Sequence, residues 1–217
     1  MSNLRSFALV TLATMWLPVA TAETGVRPLA FEVFLDDRPI GYQRFDLIPE
    51  SGGERIESRA EFAVKFLGIT AFTYEHRNVE RWRDGCLQSI DSRTDSNGTR
   101  YLVAGRRAAD AFVVDSGAGP HRLGDCIGSF SYWDKRKLLG RRMLLNPQTG
   151  DYVPVEIRAL GQGRLRLDGR DVPVERYALR GTDLDITLAY ALEGDEWVGL
   201  DSKVAGGRML RYRRTGA

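Results

Sequence analysis

This chain predicts an all-β fold: one antiparallel sheet, a meander of about ten strands curled into a half-barrel or barrel, with at most one short helix. Period-two alternation is the first observation behind that reading. From Arg55 to Phe66 the even positions carry Ile56, Ser58, Ala60, Phe62, Val64 and Phe66, and the odd ones Arg55, Glu57, Arg59, Glu61, Ala63 and Lys65. Successive side chains of a strand point to opposite faces, so this segment has one apolar face and one charged face. Asp183 to Leu192 reads the same way, with Leu184, Ile186, Leu188, Tyr190 and Leu192 together. Such alternation marks an antiparallel sheet with one face in water. The second observation is turn chemistry at hairpin intervals: Asp36-Asp37, Asp84-Gly85, Asn97-Gly98, Asp168-Gly169, Glu193-Gly194-Asp195 and Gly206-Gly207. Asp-Gly and Asn-Gly supply the positive φ angles of two-residue hairpin turns. Asn97-Gly98-Thr99 is also a glycosylation sequon, but the turn accounts for it. The third observation is that helical periodicity is scarce.

The elements follow in chain order. Met1 to Ala22 read as a secretory leader: one basic residue, Arg5, an apolar run from Phe7 to Val19 broken by Pro18, and the small triplet Ala20-Thr21-Ala22. The run is shorter than the roughly 20 apolar residues that span a bilayer, and no cysteine follows the cleavage point to carry a lipid. Cleavage before Glu23 takes 22 of the 217 residues and leaves a single β-rich domain, 23–217. Its location is then periplasmic or secreted, with no transmembrane segment. Without Arg5 the chain keeps 30 of its 31 basic residues against 29 acidic ones. A near-neutral balance gives no reason to expect nucleic acid or an anionic membrane as partner. The oligomeric state is left open.

Cys86 and Cys126 are the only cysteines. In an exported chain an even count reads as a disulfide, here with one intramolecular pairing. Only about Tyr132 to Met143 reads as helical, with Trp133, Leu138, Leu139 and Met143 covering one opening of the sheet. Its basic side, Lys135, Arg136, Lys137, Arg141 and Arg142, reads as a solvated face, with an anionic partner as the sharper alternative.

Phe72 to Trp82 breaks the pattern. Its even positions are Phe72, Tyr74, His76, Asn78, Glu80 and Trp82, so aromatics flank a polar centre on the inner face. Buried polar groups cost free energy unless hydrogen-bonded. A two-residue turn at Asp84-Gly85 sets Trp82 opposite Leu87, Glu80 opposite Ser89, Asn78 opposite Asp91 and His76 opposite Arg93. That register collects Tyr74, His76, Asn78, Glu80, Trp82, Asp91 and Arg93 as a candidate ligand-binding patch. Three readings compete: a satisfied polar network, the polar end of a small-molecule cavity, and catalysis with Glu80 and Asp91 as an acid/base pair assisted by His76. No metal site is expected, because His76 and His121 are the only histidines, and no cofactor is expected either. There is no G-x-S-x-G, H-E-x-x-H or phosphate-binding glycine loop.

Several stretches read together as a family pattern: Phe34-Leu35-Asp36-Asp37-Arg38-Pro39-Ile40-Gly41, Tyr74-x-His76-x-x-x-Glu80-x-Trp82-x-x-Gly85-Cys86-Leu87, Thr94-Asp95-Ser96-Asn97-Gly98, Tyr132-Trp133-Asp134 and Leu144-Leu145-Asn146-Pro147-Gln148-Thr149-Gly150. On these the chain resembles an uncharacterised family of exported bacterial proteins, a domain of unknown function. The resemblance implies an envelope location and one continuous domain, and names no activity. In strand layout the chain is loosely similar to the half-barrels of periplasmic lipoprotein carriers, which hold acyl chains against a concave apolar face. The function expected is a binding module for a lipid or other amphipathic envelope ligand. The rivals are a glycan-acting hydrolase using Glu80 and Asp91, and a structural partner of an envelope complex.

Overall fold

The computed structural model describes residues 25–66 and 69–216, so the leader expected at 1–22 lies outside the described residues. The chain enters mid-sheet with β1 (Arg27–Leu35). It steps outward through β2 (Arg38–Glu50), β3 (Gly53–Phe66), β4 (Ile69–Arg83), β5 (Cys86–Ser96), β6 (Thr99–Arg107), β7 (Phe112–Asp115) and β8 (Pro120–Leu123). Residues 124–155 then connect β8 to the opposite edge. They carry a one-turn helix, α1 (Lys135–Leu138), and a separate small hairpin of β9 (Met143–Leu145) and β10 (Tyr152–Pro154). β11 (Glu156–Leu167) forms that edge. From it β12 (Arg170–Gly181), β13 (Leu184–Ala191), β14 (Trp197–Lys203) and β15 (Met209–Arg214) step back until β15 pairs with β1.

The result is a thirteen-stranded sheet in the order β11-β12-β13-β14-β15-β1-β2-β3-β4-β5-β6-β7-β8. This corrects the expected barrel or half-barrel of about ten strands. The sheet is open, because its terminal strands β8 and β11 do not pair. Closure needs a ladder of matched stagger between the two edges, and here one edge strand has 4 residues and the other 12. The apolar face is instead covered by the chain's own crossing segment. Ile127, Trp133, Leu138, Leu144, Leu145 and Val155 belong to the same buried cluster as Phe31, Phe45, Ile56, Trp82, Leu179 and Leu188 of the strands.

Local chemistry made the hairpins. Asp84 and Gly85, Asn97 and Gly98, and Asp168 and Gly169 all have positive φ, the conformation of the turn whose twist matches the flanking strands. Asn97 of the sequon sits in such a turn. The alternation of β3 holds, with Ile56, Ser58 and Ala60 buried. That of β13 is only partly kept. Ile186, Leu188 and Tyr190 are in the main core, but Leu192 lies beyond the strand and is 46% exposed. Ala189 and Ala191 pack on the other face, with Leu167, Val174 and Val198, in a second apolar cluster.

The helix expected over 132–143 shrinks to α1. Asp134 caps it by accepting from the Arg136 N–H, and the chain turns extended at Leu139. Trp133 and Leu138 are buried as expected, while Leu139 is exposed. The basic side is engaged within the molecule. Lys135 pairs with Glu175 and Asp195, Lys137 with Glu54 and Asp134, and Arg136 with Asp134. Arg141 donates to the backbone oxygens of Cys126 and Gly85. Beside that contact a disulfide, Cys86–Cys126, ties the start of β5 to the crossing segment.

Candidate functional site

The inner face of β4 carries the expected series, and the structure distributes it over three environments. Glu80 sits in the middle, 1% exposed. Its Oε1 accepts from Asn78 Nδ2 at 2.9 Å, and its Oε2 accepts from Trp82 Nε1 at 2.8 Å and from Ser129 Oγ at 2.9 Å. Burial raises its pKa above the ordinary carboxylate value; the three donors and the more distant Lys137 ammonium oppose that rise. Among the described residues no Lys or Arg pairs with it directly. Glu80 therefore works as a clamp: two of its donors come from its own strand and the third, Ser129, from the crossing segment.

Next along β4, Asn78 and His76 are also buried. Asn78 faces Ser58 on β3 and Ser92 on β5 in register. Its Oδ1 and the Ser92 hydroxyl have no hydrogen-bond partner among the described residues. His76 Nδ1 shares a hydrogen bond of 2.8 Å with Thr94 Oγ1. Desolvation lowers the His76 pKa to about 4, so the ring is neutral at physiological pH.

The two aromatic ends open onto separate hollows. Trp82 borders a cleft of about 480 Å³ with Arg27, Leu47, Glu54, Arg83 and Lys137. Tyr74 lies at the other end, stacked on Phe62 with ring centroids 5.1 Å apart, and its hydroxyl donates to Gln148 Oε1 at 3.1 Å. It forms part of the wall of a cavity of about 580 Å³ whose other walls include Leu35, Ile40, Phe62, Val64, Phe72, Leu210 and Tyr212. Tyr74 and Tyr212 both have raised pKa values because burial disfavours the phenolate. The cavity thus presents mostly apolar walls, with neutral polar groups from Tyr74, Gln148 and Tyr212 and one cation, Arg208, among its lining residues, a combination suited to holding a ligand by shape and apolar contact.

Asp91 and Arg93 are elsewhere. The expected register holds at Arg83 with Cys86 and at Trp82 with Leu87, then shifts between Trp82 and Arg81. Beyond that bulge Glu80 pairs with Ile90, Asn78 with Ser92 and His76 with Thr94. One extra residue turns every later side chain to the other face. Asp91 and Arg93 are accordingly exposed on the opposite side of the sheet, and the acid/base pair of Glu80 and Asp91 is not assembled. The partners that do meet β4 are Thr94, Ser129 and Gln148, which the register argument missed. Thr94 and Gln148 lie within the stretches 94–98 and 144–150 that carry the family resemblance, but pairing them with β4 needs the bulge and the crossing path.

Among the described residues no group of three or more His, Cys, Asp or Glu is placed to hold a metal ion. No helix among them is long and apolar enough to cross a membrane.

No curated protein matches the chain. Among solved structures it is similar to a β-barrel-like protein of the domain of unknown function DUF1849 from Brucella abortus, with a TM-score of 0.61 at 10% identity, covering 88% of this chain and 95% of that one. At that identity the likeness is one of fold. The family model for the domain of unknown function DUF6134 matches residues 31–215, a span that holds all of the β4 series, both cysteines and the crossing segment; the chain belongs to that family.

Proposed function

We propose that this chain is an exported periplasmic binding module that takes an apolar or amphipathic envelope molecule in the cavity beside Tyr74. The observation that carries this reading is the cavity itself. Its volume of about 580 Å³ lies within the range of about 300–1,000 Å³ typical of small-molecule sites. A purely structural role is served best by a solidly packed interior, which a hollow of that size is not. Hydrolysis through Glu80 and Asp91 has no geometric support, since the two carboxyls are on opposite faces of the sheet. Export is supported by the leader-like pattern of residues 1–22 and by the Cys86–Cys126 disulfide, a bond that persists in oxidising compartments.

Tyr74, with Gln148 behind its hydroxyl, marks the polar side of the site. His76, Asn78, Glu80 and Trp82 hold the wall and the crossing segment in place. The test is native mass spectrometry of protein purified from a bacterial periplasm, before and after solvent extraction, with Ala71→Trp as a cavity-filling variant. An extractable mass in the lipid range that Ala71→Trp no longer retains is expected. A clean apo mass that takes up no added amphipath would sink the reading. N-terminal sequencing of the same material checks export, with Glu23 expected as the first residue.

A further inference from the structure

The mouth of the cavity carries a second observation. A neighbouring hollow of about 560 Å³ shares Ile40, Val64, Ala71 and Arg208 with the cavity and adds Arg38 and Lys65 to its rim. No carboxylate is among the residues that line either hollow. Elsewhere the chain interleaves its charges: Arg55 pairs with Glu50 and Glu57, Arg59 with Glu61, Arg107 with Asp125 and Arg122 with Asp110. At the mouth that pattern stops. Arg38 and Lys65 are exposed, and the side chain of neither makes an ion pair or hydrogen bond among the described residues. Arg208 contacts Asp36 through Nε, at 3.1 Å. The Asp36 carboxylate also accepts from the Met209 N–H, and the neighbouring Asp37 pairs with Arg211. The nearby acids are thus engaged, and the rim keeps a surplus of positive charge beside apolar walls.

We propose that the occupant of this cavity is a single-chain amphipath with an anionic head, its chain along Phe62, Phe72 and Leu210 and its head between Arg38, Lys65 and Arg208. The inference rests on the binding reading above and adds the charge of the ligand. Guanidinium groups suit this role because their N–H fork matches the oxygens of a carboxylate or phosphate. A cationic rim also draws anions toward the opening from a distance.

Isothermal titration calorimetry with three ten-carbon probes below their aggregation limits tests it: decanoate, decanol and decyltrimethylammonium. Decanoate is expected to bind tightest and the cationic probe weakest. The double variant Arg38→Gln/Lys65→Gln is expected to weaken decanoate binding about 5–10-fold, as two exposed charge contacts imply, and to leave decanol within about twofold. Its melting temperature should match the parent, because both side chains are exposed and unpaired. Decyl phosphate in place of decanoate then tells a phosphate head from a carboxylate. Equal binding of decanoate and decanol, unmoved by the double variant, overturns the anionic head and leaves the cavity reading standing. Failure of every probe to bind overturns both.

Discussion

Replacing Glu80 by glutamine removes a charge from the interior while keeping the size and hydrogen-bonding reach of the side chain. The carboxyl is fully buried, without a directly paired cation, and burial raises its pKa above 4.5. A raised value means the folded state holds the proton more tightly than the unfolded chain does. That contribution to stability is complete below about 4.5 and is lost as pH rises through the folded value. Glutamine never ionises, so the stability of Glu80→Gln relative to the parent should climb as pH rises above 4.5 and level off once the folded-state carboxyl has ionised. The amide also fits the site. Its oxygen can accept from Trp82 Nε1 and Ser129 Oγ, and its NH₂ can donate to Asn78 Oδ1 once the Asn78 amide, whose Nδ2 faces Glu80 in the parent, flips end for end. Glu80→Ala serves as the contrast, because it leaves the Trp82 indole, the Asn78 amide N–H and the Ser129 hydroxyl without their acceptor. At about 1–3 kcal/mol for each buried donor left unmade, those three amount to about 3–9 kcal/mol. At about 2–4 °C per kcal/mol for a chain of this size, the melting temperature should fall by at least about 6 °C and by up to roughly 36 °C. Thermal melts followed by circular dichroism at pH 4.5, 6 and 8 decide the matter. If Glu80→Gln loses as much as Glu80→Ala at every pH, the ionised carboxylate is required and the neutral-clamp reasoning is refuted.

Three further outcomes are expected. His76 has the opposite linkage. Its pKa drops from 6.5 to about 4 through burial, so its contribution is complete above about 6.5 and disappears as pH falls toward 4. The gap converts to roughly 3 kcal/mol, which urea midpoints of the parent should show between pH 7 and 4 and those of His76→Gln should not. Reducing the Cys86–Cys126 bond, or replacing both cysteines with serine, should cost about 4 kcal/mol by the chain-entropy relation for a separation of 40 residues; calorimetry with and without reductant reads it. Asp91→Asn and Arg93→Gln should each change stability by less than about 0.5 kcal/mol, as exposed substitutions do. A loss of several kcal/mol from either would mean that β4 and β5 pair in the unbulged register.

Much of the architecture was legible in the residues, and the reason is local. Period-two alternation in β3, the even-numbered inner face of β4 and the two-residue turns at Asp84-Gly85 and Asn97-Gly98 all depend on neighbours a few positions apart. Strand geometry and positive-φ preferences act at that range, so the strands and hairpins could be read in order. The inward-facing series Tyr74, His76, Asn78, Glu80 and Trp82 came from the same period, and the pairing of Cys86 with Cys126 came from a count that allowed only one bridge.

What the sequence could not reach was decided between distant segments. Alternation says that one face of a strand is buried without saying what buries it. Here residues 124–155 cover the face, and Ser129 and Gln148 arrive beside Glu80 and Tyr74 from 49 and 74 positions away. Whether the edges join depends on the lengths of β8 and β11, which are far apart in the chain. The bulge between Arg81 and Trp82 shifts the register by one residue and moves Asp91 and Arg93 to the opposite face. A bulge is favoured by the twist and packing of the whole sheet, so it leaves no local mark on the strand that contains it. The chemistry of β4 was therefore written in the sequence, while its partners, its cavity and the charge at the mouth of that cavity were set by tertiary structure.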